Sequence, residues 1–344
     1  MELMPADAAR SEIANRHSIA RRVAFGIAGL ALGGLFLYLA LRNISRQDFE
    51  AVLQRFDRSW LAIGVAVYMG SIAVRCLRWG ILLRTNATVK WRHAVEALLA
   101  GYAANYLLPA RIGELFRADY AMRLFHMSRF TSLGTIFVER LCDGVILVCA
   151  LWVCLGILAF ADGNPIAYPS WAIAAGTTAS AVFGLALLFA LLSGHVDLRR
   201  FGLPDFILDR WVRLTDGILS VARGRTGTVI LCSLGVWILE VIALACVARA
   251  FAAVLSIPQT IVLMVLGSLS TLIPTAPGFL GTFQFVFAQV FAWFGYPQGV
   301  GIVVSTTMQV FCFGGVTILG VFVLLSRSGL AVFRALRLNA KDPS

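Results

Sequence analysis

The chain has 344 residues, of which 59% are hydrophobic and only 14% charged. A soluble domain of that length carries about 25% charged residues, so polar groups cannot cover this one and lipid must be its solvent. The net charge of +11 would suit a nucleic-acid binder, but no such motif accompanies it. The arginines instead fall between apolar segments, as in cytoplasmic loops that face anionic headgroups.

Arg10, Arg16, Arg21 and Arg22 precede an apolar run at 23–41. It is too long for a signal-peptide core and has no small-residue cleavage site, so it reads as a retained first span behind a cytoplasmic tail, 1–22. Five further runs meet the roughly 20 apolar residues that a crossing needs: 60–83, 130–160, 171–192, 227–253 and 299–326. Two more regions are interrupted. One, 93–109, ends in Pro109 and runs into Arg111-Ile112-Gly113-Glu114; the other, 258–274, ends in Pro274 and continues at 278–295.

The basic loops share one side of the membrane if each interrupted region dips in and returns; only the mixed-charge loop 42–58 departs from this pattern. The expectation is an all-α polytopic membrane protein of about six full transmembrane helices plus two re-entrant helical hairpins. It forms a single membrane domain, 23–326, in a bacterial-type cytoplasmic (inner) membrane, with 1–22 and 327–344 as cytoplasmic tails. Between the fourth and fifth of the full spans, 196–223 places Trp211, Leu214 and Ile218 on one helical face. It is either an amphipathic helix on the inner leaflet or a plain linker helix.

The seven cysteines stand singly in apolar stretches and the four histidines lie outside any metal-binding spacing. Neither a metal nor a cofactor is expected.

The chain also resembles itself. Leu107-Leu108-Pro109-Ala110-Arg111-Ile112-Gly113 matches Leu272-Ile273-Pro274-Thr275-Ala276-Pro277-Gly278 at an offset of 165 residues. Under that offset Arg75 falls on Glu240. Both matches end an interrupted region, and the spans before them run in opposite directions, which makes units of about 60–160 and 227–326 inverted repeats. Such repeats with Gly/Pro breaks in matching positions mark transport sites near the midplane. Two Pro-kinked helices that simply pack together are the plainer alternative.

Arg75, Arg78, Glu139, Arg140, Asp143, Glu240 and Arg249 fall inside spans. Each costs about 2.5–3.5 kcal/mol or more at the bilayer centre, so they must pair or line a wet cavity. Spacings of four and three put Glu139 with Asp143, and Arg75 with Arg78, on shared helix faces. Acidic face against basic face is the simplest arrangement, although Arg75 and Arg78 can also snorkel inward. Around the breaks, Arg111 and Arg117 flank Glu114 and offer planar forks suited to phosphate. Thr275, Thr282 and Gln284 supply only hydroxyls and an amide.

The run Asn105 to Arg117 resembles the N-x-x-x-P-x-R-x-G-E-x-x-R signature of the lysylphosphatidylglycerol synthase transmembrane (flippase-like) family. Glu139-Arg140-Leu141-Cys142-Asp143 is similar to its E-R-x-x-D element, and Pro274, Pro277, Gly278 and Gly281 to its P-x-x-P-G-G-x-G-x-x-E element. Arg75-Cys76-Leu77-Arg78-Trp79 resembles its early Arg-Trp feature. Phe279 stands where a glycine is often seen, and Gln284 where a glutamate is.

The resemblance implies a lipid-handling membrane domain. In relatives it accompanies a soluble domain that makes the aminoacylated lipid; with only about 18 residues after the last span, no such domain fits here. The expected function is therefore transport of a phospholipid or lipid-linked headgroup, held by Asn105, Pro109, Arg111, Gly113, Glu114 and Arg117 with the second-break residues. Arg75, Arg78, Glu139, Arg140, Asp143 and Glu240 would balance charge or couple to protons. An intramembrane enzyme acting on a lipid-linked substrate is one alternative, and a non-transporting partner of a lipid-modifying enzyme another. A second copy or a lipid-synthesis enzyme is the candidate protein partner.

Overall fold

The computed structural model describes residues 28–42, 50, 52–85, 87–108, 113–161, 168–196, 200, 204–222, 225–273 and 275–326. They form helices: Ala28–Leu41 (α1), Arg58–Leu83 (α2), Trp91–Leu107 (α3), Gly113–Phe125 (α4), Arg129–Ala161 (α5), Ser170–Ser193 (α6), Asp205–Ala222 (α7), Thr226–Arg249 (α8), Ile257–Ser270 (α9), Thr282–Trp293 (α10) and Gln298–Leu325 (α11). Five of them, α2, α5, α6, α8 and α11, are long and apolar enough to cross a membrane, which makes the chain a polytopic helical membrane protein. Of the expected first span, 28–41 is helical and 23–27 lies outside the described residues.

Local signals set the boundaries. The Asp57 carboxylate accepts from the Ser59 N–H at 2.7 Å and starts α2. Ser256 and Gln259 cap each other around Pro258 at the start of α9. The interrupted regions are helix pairs that fold back on themselves. His93 and Phe125, at opposite ends of α3–α4, bring their rings to 6.2 Å; the Tyr296 hydroxyl donates to the Val254 carbonyl at 2.8 Å, closing α9–α10. A Cβ on Gly113 would lie 2.0 Å from the Gly101 carbonyl oxygen, so only glycine lets α3 and α4 approach this closely.

The extensive α2–α8 contact runs antiparallel: Gly64 meets Ala243 and Val247, Arg75 meets Glu240, and Arg78 meets Ser233. Contacts around it are reciprocal, since α5 packs on α9 and the end of α11 packs on α3. α11 is interrupted by a π-helical stretch at Met308–Phe313. α6 buries little of itself and faces outward. α7 is helical from Asp205, later than the sequence suggests, and lies against the start of α5, where Gly217 touches Thr131 and Gly134.

Candidate functional site

Two arginines on α2 and two carboxylates on α5 carry the centre of the site. Arg75 and Arg78 are three residues apart, one helical turn, and share a face. Glu139 and Asp143 do the same at four. Where the helices meet, Arg78 donates from Nη1 to Asp143 Oδ1 at 2.5 Å and from Nη2 to Asp143 Oδ2 at 3.0 Å. It also donates to Glu139 at 2.9 Å and to the Ser233 hydroxyl at 2.6 Å. Arg75 reaches the other way, donating to Glu240 on α8 at 2.6 Å and 3.2 Å. Both arginines are buried; neither snorkels to an interface.

Arg117 on α4 closes the network from the side of the first hairpin. It donates to Glu139 at 2.6 Å, its guanidinium lies 3.9 Å from the Trp79 ring, and the residue is 1% exposed. The expectation that Arg117 holds a headgroup phosphate therefore has no free surface to act through. Its charge is spent on Glu139 and the indole face. Arg140, one position round α5, faces away from that packed centre. It lies 3.7 Å from Glu114, 3.8 Å from Glu139 and 3.9 Å from Asp143, and its side chain is 32% exposed. The cluster thus joins four arginines, 75, 78, 117 and 140, to four carboxylates, Glu114, Glu139, Asp143 and Glu240. Equal charge makes such burial tolerable.

A cavity of about 470 Å³ opens beside the cluster. Arg75, Arg140, Asp143, Glu114 and Glu240 line it with Asn105 and the tyrosines 68, 102 and 106. Trp237, Phe183, Phe279, Phe283 and Phe313 supply the aromatic wall. Asn105 binds the first break, accepting from the Gly113 N–H at 2.7 Å and donating weakly to Glu114 at 3.4 Å. Among the described residues, the buried Tyr102 hydroxyl and Arg140 Nε have no hydrogen-bond partner. Unpartnered buried donors call for a ligand or water.

The second break is built differently. Pro277–Phe279 forms a single 3-10 turn with Gly278 at φ +69°. The Thr275 and Thr282 hydroxyls bond each other at 3.1 Å, and Gln284 Oε1 accepts from the Gly281 N–H at 2.8 Å. The Gln284 amide donates to Gln309 on α11, and Gln309 donates to the Gly278 carbonyl at 3.0 Å. Gln284 thus braces the break, and Thr275, Thr282 and Gly281 do not line the charged cavity. Pro109, Arg111 and Pro274 lie outside the described residues.

Sequence reasoning passed over four contributors. Tyr102 and Trp237 carry no local motif. Gln309 lies on a different helix, 25 residues beyond Gln284. The fourth is a Gly29-x-x-x-Gly33 pair on α1, whose backbone lies against Thr275, Ala276 and Leu280. That small-residue spacing is a known signal for close helix approach.

These features define a class: a multi-pass helical membrane protein with a charge-balanced cavity between two helix pairs. The chain belongs to the family of the lysylphosphatidylglycerol synthase TM region, whose sequence model matches residues 26–320. Two proteins of Methanothermobacter thermautotrophicus, each called a UPF0104 membrane protein, are 25% and 24% identical to it; the alignments cover 88% and 85% of this chain and 92% of each relative. A third relative, the glycosyltransferase AglD of Haloferax volcanii, is 26% identical over 79% of this chain but only 49% of its own length. No solved structure gives a significant match.

Proposed function

We propose that this protein binds the polar head of a phospholipid or lipid-linked compound in the charged cavity and moves it across the bilayer. The observation that carries this reading is the cavity itself, about 470 Å³ of space that sets Arg75, Glu114, Arg140, Asp143 and Glu240 beside an aromatic wall inside a bundle of apolar helices. A charged wall inside a membrane domain is expensive unless a polar substrate or water uses it. The antiparallel α2–α8 pair and the reciprocal hairpin contacts support reading 60–160 and 227–326 as inverted halves that alternate about the cavity. On this reading the membrane is a bacterial-type cytoplasmic one with both termini inside, and only the polar head needs the charged path.

Within the cavity we assign the anionic part of the head to Arg140, assisted by Tyr102 and Asn105. Arg140 faces the cavity, and its Nε has no hydrogen-bond partner among the described residues. Arg111, which lies outside the described residues, keeps the phosphate contact expected of it from the sequence. The test is reconstitution into phosphatidylcholine–phosphatidylglycerol vesicles carrying a fluorescent phosphatidylglycerol, read by chemical quenching of the outer leaflet. Wild type is expected to expose inner-leaflet probe faster than empty vesicles, and Arg140→Gln and Arg111→Ala to slow it at unchanged melting temperature. Equal rates in wild-type and empty vesicles would overturn the reading for this headgroup. A covalently altered probe would point to an enzyme.

A further inference from the structure

Next to the charged cavity lies a second hollow of about 490 Å³ with a different chemistry. α1, α6 and the α9–α10 hairpin form it, and apart from Thr178, Ser270 and Thr282 its wall is hydrocarbon and aromatic. Phe183, Leu269 and Leu272 line both spaces, so they form a shared partition. The partition is thin on the α6 side: the Phe183 ring rests against Gly144, where a Cβ would come within 1.9 Å of it. On the other side it is the tip of the second hairpin.

We propose that this hollow is an acyl-chain groove, and that the ligand enters from the bilayer between α1 and α6 with one chain lying against Phe36, Thr178 and Val182 while its head passes the partition into the charged cavity. The inference rests on the lipid-transport reading above and adds to it a separate site for the tail, so that the lipid is recognised at both ends. Continuity argues for a chain as the occupant. The groove shares three residues with the headgroup cavity and borders α6, the outward-facing helix. A lipid tail leaves one apolar medium for another, so the groove gains little affinity from the hydrophobic effect. Its contribution is positional, holding the head at the partition.

The experiment fills the groove without touching the cavity. Full-length protein carrying Thr178→Trp is compared with wild type and with Leu231→Trp, a change on the lipid-exposed face of α8, in the same phosphatidylglycerol vesicles. Wild-type and Leu231→Trp proteins are expected to move the probe alike, and Thr178→Trp to slow it about tenfold or more, the scale of overpacking a shaped site. Ala175→Phe, one helical turn earlier on the same wall, replaces Thr178→Trp if the latter does not fold. Wild-type transport with an undiminished rate in the filled variant would overturn the groove and leave the transport reading standing. Absence of transport in wild type itself would overturn both.

Discussion

Glu139 is held between two guanidinium groups, Arg78 at 2.9 Å and Arg117 at 2.6 Å, and is 1% exposed. Glu139→Gln leaves two buried cations with one compensating charge fewer, and the expected loss is about 3–5 kcal/mol, read as a lowered unfolding midpoint in detergent. Glu114 provides the contrast. Its side chain is 22% exposed and its nearest cation among the described residues is 3.7 Å away, so Glu114→Gln is expected to change stability by less than about 1 kcal/mol. The facing of these groups was legible in the sequence: spacings of three and four put Glu139 with Asp143 and Arg75 with Arg78. The partners across helices were not. Arg117 read as a phosphate contact beside the break because a hairpin's depth in the bundle leaves no trace in local spacing.

At the scale of elements, the second break depends on a side chain from another helix. Gln309 links Gln284 to the Gly278 carbonyl from within the π-helical stretch of α11. Gln309→Leu removes both bonds and leaves buried groups unpaired, at an expected cost of about 1–3 kcal/mol. Gly281 tolerates nothing larger: its φ is +92°, and a Cβ would lie 1.9 Å from the Gly33 carbonyl oxygen on α1. Gly281→Ala is expected to cost about 3 kcal/mol or more. Phe279, where the family pattern has glycine, also holds positive φ, +61°. Its ring packs edge-on to Tyr106 at 5.8 Å, which offsets the backbone strain. Proline and glycine announced that the helix breaks here. The π-helical brace was silent in the sequence because a glutamine in an apolar helix carries no period.

For the molecule as a whole, the α2–α8 seam sets the arrangement, and the ion pair of Arg75 with Glu240 crosses it. The single changes Arg75→Gln and Glu240→Gln each leave a buried charge unmatched. The double change leaves none from this pair, so a double-mutant cycle is expected to return a coupling of about 1–3 kcal/mol. Five of the six expected full spans stand as long apolar helices in the expected order, legible from apolar length alone. The direct antiparallel contact of α2 with α8 was foreshadowed only by the 165-residue offset, because helix neighbours in a bundle are chosen by packing rather than by sequence order.

That offset is also the separation of Arg75 and Glu240, so corresponding positions of the two halves face each other, one cationic and one anionic. A half paired with a copy of itself would set arginine on arginine or glutamate on glutamate inside the bilayer, where like charges repel most strongly. The halves are therefore lock and key rather than twins. Expressed as separate fragments, each is expected to co-purify with the other and neither with itself.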